Sequence, residues 1–175
     1  LPGDTYYLNL IEERPEELDT LARDILISVT AFFRDASAFE ALRPKIGALC
    51  RRGKESGQDV RVWVAGCANG EEAYSIAMLI AEALRDDPDP PGVQIFATDI
   101  DDDALAVARR GLYPAAALET LSEPLLQRYF QPFNSAFEVG KRLRDMVVFA
   151  RHNLVSDPPF LRVDLVTCRN PPVSG

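Results

Sequence analysis

The sequence predicts an α/β fold in which helices cover both faces of a parallel sheet. The first observation is a short apolar run, Val60 to Ala65, which has the length and composition of a buried strand. The second is the turn of small residues that follows, Gly66 to Gly70, which leads directly into a helical pattern. The third is a further strand-like run, Val93 to Thr98. A strand, a glycine turn and a helix in this order are typical of a nucleotide-binding unit.

The glycine turn and the start of its helix favour a cationic ligand over a pyrophosphate. The turn has the spacing G-x-x-x-G, whereas the dinucleotide fingerprint is G-x-G-x-x-G. Glu71 and Glu72 open the helix, and two carboxylates at this position would repel a pyrophosphate. S-adenosylmethionine (SAM) carries a sulfonium and an ammonium group and no phosphate, so it suits this pair. The alternative is that both residues are only the acids that favour a helix N-terminus.

An acidic residue ends the second strand. Asp99 follows the apolar run directly, and in nucleotide-binding sheets an acid at this position holds ribose hydroxyls. The alternative is that Asp99 is one more solvated acid beside Asp101, Asp102 and Asp103, which cap a helix predicted over residues 102–110.

Length and composition are those of a single soluble domain. The chain has 175 residues, enough for one hydrophobic core, with 47% hydrophobic and 26% charged residues. The net charge of −8 argues against a nucleic-acid partner. No apolar run reaches the length of a membrane span, so we expect no membrane insertion. Three cysteines without a C-x-x-C pair favour a reducing, cytoplasmic setting, and no cluster at ligand spacing predicts a metal.

Several motifs that follow one another along the chain resemble those of the CheR-type chemotaxis-receptor glutamate methyltransferases, which depend on SAM. These motifs are T-x-F-F-R from Thr30, G-C-x-x-G-E-E from Gly66, A-T-D from Ala97, N-L from Asn153 and C-R-N from Cys168. The first two together form a specific combination, and the resemblance runs over about residues 28–170. It implies the Rossmann-like sheet of the class I SAM-dependent methyltransferases.

The resemblance also implies the residues of the cofactor site. It assigns cofactor contacts to Ser28, Thr30, Arg34, Gly66, Glu71, Glu72, Asp99, Asn153, Leu154, Arg169 and Asn170. Arg34 would lie near the methionyl end of the cofactor and orient the acceptor, which makes it the candidate catalytic residue. Asn153 and Leu154 match the pair that contacts adenine, with an amide for the base edge and an apolar side chain for its face. Ser28 stands where the family usually has asparagine, and its shorter side chain alters that contact.

The resemblance divides the chain into two parts. Residues 1–27 form a lead-in, with a helix predicted over Glu16 to Ile27, that links to a preceding helical subdomain; residues 28–175 form a partial SAM-binding methyltransferase domain. The family continues C-R-N with an apolar segment ending in Tyr-Phe, whereas this chain reads Pro171-Pro172-Val173. We therefore expect a sheet that is incomplete at its C-terminus. We also expect the chain to lack the inserted subdomain that some members use to dock on receptors.

The remaining elements are predicted from local patterns. Helices are predicted over residues 35–50 and 122–130, and strands over residues 144–150 and 162–167. Arg51 and Arg52 are expected to end the first of these helices, because cations favour a helix C-terminus. His152 is the single histidine, and nothing near it forms a nucleophile–base pair, so we expect a structural role.

The implied activity is methyl transfer from SAM to glutamate side chains of methyl-accepting receptors. The implied partners are receptor cytoplasmic helices or a related signalling protein. Three alternatives remain: a non-catalytic SAM-binding module, a nicotinamide-linked oxidoreductase, and an amino- or amide-group methyltransferase. The last is suggested by Asn170-Pro171-Pro172, which resembles an N-P-P-[YF] motif, although Val173 takes the aromatic position.

Overall fold

The computed structural model describes residues 30–168. The helices are α1 (Ala36–Ser56), α2 (Glu71–Ala83), α3 (Asp102–Arg110), α4 (Glu123–Tyr129) and α5 (Lys141–Arg144), with a 3-10 turn at Ala115–Leu118. The strands are β1 (Val60–Ala65), β2 (Val93–Asp99), β3 (Leu112–Pro114), β4 (Phe130–Phe133), β5 (Ala136–Val139), β6 (Val147–Arg151) and β7 (Leu165–Cys168). Outside the described residues lie the helix predicted over Glu16 to Ile27 and the site residues Ser28, Arg169 and Asn170. Within residues 30–168, no helix is both long and apolar enough to cross a membrane.

The main sheet is parallel and has the strand order β6-β2-β1-β7. From β1 the chain adds β2 and β6 on one side, and then crosses to place β7 on the other side. Open α/β sheets bind ligands at such a reversal of strand order, in the crevice beyond the carboxyl ends of the strands. The predicted α/β fold with a parallel sheet is confirmed, and its reversal point lies at the glycine turn after β1.

Helix α2 is the central helix of the hydrophobic core. It is buried from Glu71 to Ala81, and it packs with the fully buried strand residues Val62, Val64 and Ile95. Because side chains alternate along a strand, these three residues share one face of the sheet. Helix α2, which carries the carboxylates of Glu71 and Glu72, is therefore packed against the sheet.

The opposite face of the sheet is covered by the segment after β6. Phe160 stacks on Phe96, with ring centroids 4.9 Å apart, and also contacts Trp63 at 5.2 Å. His152 lies edge-on to Trp63 at 5.3 Å, and its Nε2 is 3.0 Å from the Pro158 carbonyl oxygen. His152 is thus a buried member of an aromatic cluster, which agrees with its predicted structural role. Among the described residues, no helix lies on this second face. The expectation that helices cover both faces of the sheet therefore stays a prediction for this face.

Helix α1 is longer than the sequence predicts. Asp35 caps its first turn by accepting from the N–H of Ala38, and the helix runs to Ser56, where Gly57 ends it in the left-handed region at φ 65°. The two arginines expected to end the helix therefore lie inside it. Arg52 forms an ion pair of 2.6 Å with Asp164, just before β7, and so lies toward the amino ends of the strands, away from the crevice.

A small subdomain is inserted between α3 and β6, and the expectation that the chain lacks an inserted subdomain is wrong. It consists of an antiparallel sheet with the order β3-β5-β4, together with α4. Its strands have only three or four residues, and two of them contain proline. Such strands are too short for an alternating pattern to be recognised. The helix predicted over residues 122–130 ends one residue early, because Phe130 begins β4.

Candidate functional site

The glycine turn is held at the carboxyl end of β1 by hydrogen bonds to the neighbouring strand. The N–H groups of Gly66 and Cys67 both donate to the Thr98 carbonyl, at 2.8 and 2.9 Å. The N–H of Ala68 donates to the carboxylate of Asp99 at 2.8 Å. The turn is therefore braced along its first half by the last two residues of β2.

The second half of the turn depends on a glycine. Gly70 has φ 94°, in the left-handed region that side chains disfavour. A Cβ atom at this position would lie 2.9 Å from the Cβ of Ala108, 3.1 Å from the hydroxyl of Tyr113 and 3.2 Å from the ring of Phe149. Conformation and space both require glycine here, so the backbone that starts α2 approaches its neighbours closely.

Asp99 has a structural task that the sequence did not indicate. One carboxylate oxygen accepts from Ala68 and the other accepts from the N–H of Asp101 at 3.0 Å. The Asp99 carbonyl accepts from the N–H of His152 at 2.9 Å. Each carboxylate oxygen can accept more than one hydrogen bond, so the carboxylate can brace the turn and still bind a hydroxyl group.

Glu71 carries a buried carboxylate that is only half satisfied. Glu71 is 5% exposed, and its carboxylate is hydrogen-bonded to the side chain of Thr30. Its Oε2 atom has no hydrogen-bond partner among the described residues. Burial raises the pKa of this carboxyl, and the hydrogen bond from Thr30 opposes that rise. A buried carboxylate with an open acceptor is suited to a cationic group such as an ammonium.

A cleft of about 200 Å³ opens between the glycine turn and the segment before α1. It is lined by Thr30, Ala31, Arg34, Gly66, Cys67, Ala68 and Glu72. The segment before α1 reaches the cleft through a strained bend: Phe33 has φ 49°, and its N–H donates to the hydroxyl of Ser75 on α2 at 3.0 Å. This bend places the exposed Arg34 at the cleft.

The predicted adenine pair is not among the residues that line this cleft. Asn153 and Leu154 directly follow His152 and are partly buried. The side-chain oxygen of Asn153 accepts from the backbone N–H of Val155 at 2.9 Å. The backbone N–H of Asn153 donates to the carboxylate of Asp157 at 2.8 Å. The amide nitrogen of Asn153 is a donor, which suits an acceptor on a base edge. Of the predicted site residues, Thr30, Arg34, Gly66 and Glu72 line the cleft itself. Glu71 adjoins the cleft through its bond with Thr30, and Asp99 through its bond with Ala68. Asn153 and Leu154 are connected to Asp99 through the N–H of His152, which precedes them.

Two residues of the inserted subdomain also reach the site, and sequence reasoning missed both. The hydroxyl of Tyr113 donates to the carbonyl of Asn69, in the glycine turn, at 2.6 Å. The hydroxyl of Thr120 donates to the carbonyl of Phe32, in the segment before α1, at 2.7 Å. Both contacts join residues more than 40 positions apart, so no local pattern signals them.

Comparisons with known proteins agree with this architecture. The profile of the family described as "CheR methyltransferase, SAM binding domain" matches residues 28–171. A chemotaxis protein methyltransferase of Escherichia coli is 36% identical over 94% of this chain and 57% of its own length. Chemotaxis protein methyltransferase 2 of Pseudomonas aeruginosa is 35% identical over 94% of this chain and 59% of its own length.

A larger protein contains a still more similar region. An uncharacterized 104.1 kDa protein of Rhodobacter capsulatus is 41% identical over 97% of this chain, which spans 18% of that protein. The chain thus spans less than two thirds of each of these relatives.

The geometry fits the cofactor that the family match indicates. The buried, half-satisfied carboxylate of Glu71 suits an ammonium group, and the glycine turn allows close approach of a ligand to the backbone. The parallel sheet, the turn at its reversal point and the acid at the end of β2 are those of a Rossmann-like SAM-binding domain. The chain belongs to the CheR methyltransferase family, through its SAM-binding domain, and its cofactor is S-adenosyl-L-methionine.

Proposed function

We propose that this chain is the SAM-binding core of a protein-glutamate O-methyltransferase that acts on chemotaxis-type receptors in the cytoplasm. The observation that carries the proposal is the family match over residues 28–171, together with relatives named chemotaxis protein methyltransferase. The receptor segment that we propose as the partner is a cytoplasmic helix that presents a glutamate side chain.

We propose that the residues gathered around the cleft hold SAM. Glu71 and Glu72 would receive the cationic methionyl end, Asp99 the ribose hydroxyls, and Asn153 the adenine edge. Thr30 supports this arrangement because its side chain is hydrogen-bonded to Glu71. Ser28, Arg169 and Asn170 complete the proposed set from outside the described residues.

The proposed reaction needs orientation more than acid–base catalysis. SAM supplies an electrophilic methyl group when it is bound. An acceptor glutamate is ionised at neutral pH, since its ordinary pKa is about 4.3, so no general base is required. Arg34 lies at the cleft and would orient that carboxylate. Excluding water from the acceptor and holding it in line would then account for most of the rate acceleration.

Methyl transfer to receptor fragments tests the proposed function. Tritiated SAM is incubated with the chain and with cytoplasmic fragments of chemotaxis receptors, and volatile methanol is measured after mild base treatment. Base-labile label in the receptor supports glutamate methylation. Base-stable label would indicate an amino- or amide-group methyltransferase instead, and SAM binding without any transfer would indicate a non-catalytic module.

A pair of arginine variants tests the proposed role of Arg34. Arg34→Ala should lower the rate of methyl transfer at least tenfold, as expected for loss of a charged contact of about 1.5–3 kcal/mol. Arg43→Ala is the control, because Arg43 is an exposed residue of α1 that pairs with Glu40. Equal rates in the two variants would exclude Arg34 from the reaction.

A further inference from the structure

We propose that the inserted subdomain is a positioning element of the SAM site, and that Tyr113 and Thr120 are its two positioning residues. This inference rests on the proposed placement of SAM at the glycine turn and the segment before α1. It assigns a role in cofactor affinity to two residues that lie outside the cleft wall.

Tyr113, in β3 of the inserted subdomain, restrains the glycine turn. It is 2% exposed, and its hydroxyl donates to the carbonyl of Asn69 at 2.6 Å. A Cβ atom added at Gly70 would lie 3.1 Å from the same hydroxyl oxygen, so Tyr113 is close to both of the last two residues of the turn. Because Asn69 and Gly70 are the last residues before Glu71, this contact acts on the part of the turn that sets where α2 and its carboxylates begin.

Thr120 restrains the other wall of the cleft. Its hydroxyl donates to the carbonyl of Phe32 at 2.7 Å. The ring of Phe32 is fully buried and lies edge-on to Tyr113 at 5.0 Å and to Phe130 at 5.5 Å. Phe32 is two residues from both Thr30 and Arg34 in sequence. The subdomain therefore holds both walls of the cleft, each through one side-chain hydroxyl and a shared aromatic contact.

These contacts are not the sole attachment of the subdomain to the rest of the domain among the described residues. A separate attachment lies at α4, where the hydroxyl of Tyr129 donates to Glu82 of α2 at 2.7 Å and Arg128 pairs with the same carboxylate. Removing the Tyr113 hydroxyl thus leaves the subdomain anchored to α2. The expected result is a less ordered glycine turn on an intact fold.

Tyr74 provides a matched control for Tyr113. It is 1% exposed, and its hydroxyl donates to a backbone carbonyl, that of Ala108, at 3.0 Å. Both tyrosines belong to the same core, with ring centroids 6.2 Å apart. They differ in one respect that matters here: Tyr113 bonds the glycine turn, whereas Tyr74 bonds the end of α3. Loss of either hydroxyl removes one hydrogen bond made by a buried tyrosine, so the two variants should lose similar stability.

The first measurement is SAM affinity by calorimetry for the chain and its variants. Tyr113→Phe should raise the dissociation constant about three- to tenfold, and Tyr74→Phe should change it less than twofold. Thr120 is an exposed residue whose hydroxyl bonds the buried Phe32, so Thr120→Val removes the second hydroxyl with little risk to the core. It should also weaken SAM binding, and it keeps the proposal testable if Tyr113→Phe does not fold. Unchanged affinity in the folded Tyr113 and Thr120 variants would overturn the proposal, as would equal losses in Tyr113→Phe and Tyr74→Phe.

The second measurement is amide hydrogen exchange without ligand, which does not depend on the proposed function. Tyr113→Phe should speed exchange in residues 66–72, whereas Tyr74→Phe should speed it near residues 105–111. If the unmodified chain failed to bind SAM, the proposed site would be wrong, and exchange alone would decide the positioning role. Equal exchange of residues 66–72 in the two variants would then overturn it.

Discussion

Asp99 serves the glycine turn and the proposed cofactor with one carboxylate. It accepts from Ala68 and Asp101, and in the proposed site it also accepts from the ribose. We expect Asp99→Ala to weaken SAM binding by roughly 1.5–3 kcal/mol, which raises the dissociation constant about tenfold or more. Calorimetry compares it with Asp103→Ala, which removes an exposed acid four residues away. If the two variants bind SAM equally well, Asp99 does not belong to the site.

The buried carboxyl of Glu71 should make stability without ligand depend on pH. Its pKa is raised by burial, so the folded chain binds this proton more tightly than the unfolded chain does. Its contribution to stability is therefore fully present below the ordinary glutamate pKa of about 4.3 and is lost as the pH rises through the folded-state pKa. Glu71→Gln removes this loss, so the ligand-free variant should be more stable than the unmodified chain at pH 8, with the difference shrinking toward pH 4.

Glu71→Gln should also weaken SAM binding, because a neutral amide interacts less favourably with a cationic ligand than a carboxylate does. Urea unfolding at pH 4 and pH 8 measures the stability, and calorimetry at pH 8 measures SAM affinity. Glu55→Gln, an exposed glutamate of α1, is the control for the loss of one charge. A Glu71→Gln chain that is less stable at pH 8, or that binds SAM unchanged, would contradict this account of Glu71.

At the scale of elements, the junction between β1 and α2 depends on the glycine at its end. Gly70→Ala would strain a left-handed backbone and force its Cβ to within 2.9 Å of Ala108. We expect a loss of about 2–5 kcal/mol, from about 1–2 for the backbone and about 1–3 for overpacking. Gly57→Ala is the matched control: its φ is 65°, but nothing lies within 4 Å of the added atom, so about 1–2 kcal/mol is expected. Similar losses in urea unfolding would show that the close approach at Gly70 is easily relieved.

Elements with strong local signals were predicted to within about one residue. Helix α3 matches residues 102–110 because Asp101 caps its start and Gly111, at φ 61°, ends it. Strand β6 was predicted three residues early, since the apparent start at Arg144 belongs to α5. The helix over 35–50 was predicted too short because Gly53 lies inside α1, where it packs against Val60. A glycine can serve packing as well as termination, and a single sequence does not distinguish the two.

The candidate site was predictable only where its residues belong to a local motif. The turn and its acids form one continuous stretch, and Asp99 ends a strand, so their patterns suffice. The positioning contacts of Tyr113 and Thr120 depend on an antiparallel sheet whose strands pair Leu112 with Glu138 and Phe130 with Val139. Pairings of this kind arise from tertiary packing, and strands of three or four residues carry little signal of their own.

At the scale of the whole molecule, the proposed ligand joins segments that are distant in sequence. Thr30 precedes α1, the glycine turn follows β1, Asp99 ends β2, and Asn153 follows β6. These segments form the site only in the folded chain, so the ligand should bind the folded form and not the unfolded one. Such a ligand stabilises the folded form by mass action, by roughly 2.7 kcal/mol at a hundredfold excess over its dissociation constant.

A thermal unfolding experiment measures this stabilisation. S-adenosylhomocysteine at a hundredfold excess should raise the melting temperature by about 5–10 °C, because a chain of this size gains about 2–4 °C per kcal/mol. NAD should leave the melting temperature unchanged, since Glu71 and Glu72 at the start of α2 would repel a pyrophosphate. A melting curve that shifts equally with both ligands would indicate nonspecific stabilisation. A curve that responds only to NAD would contradict the proposed site, because the glycine turn would then bind phosphate despite the two carboxylates at the start of α2.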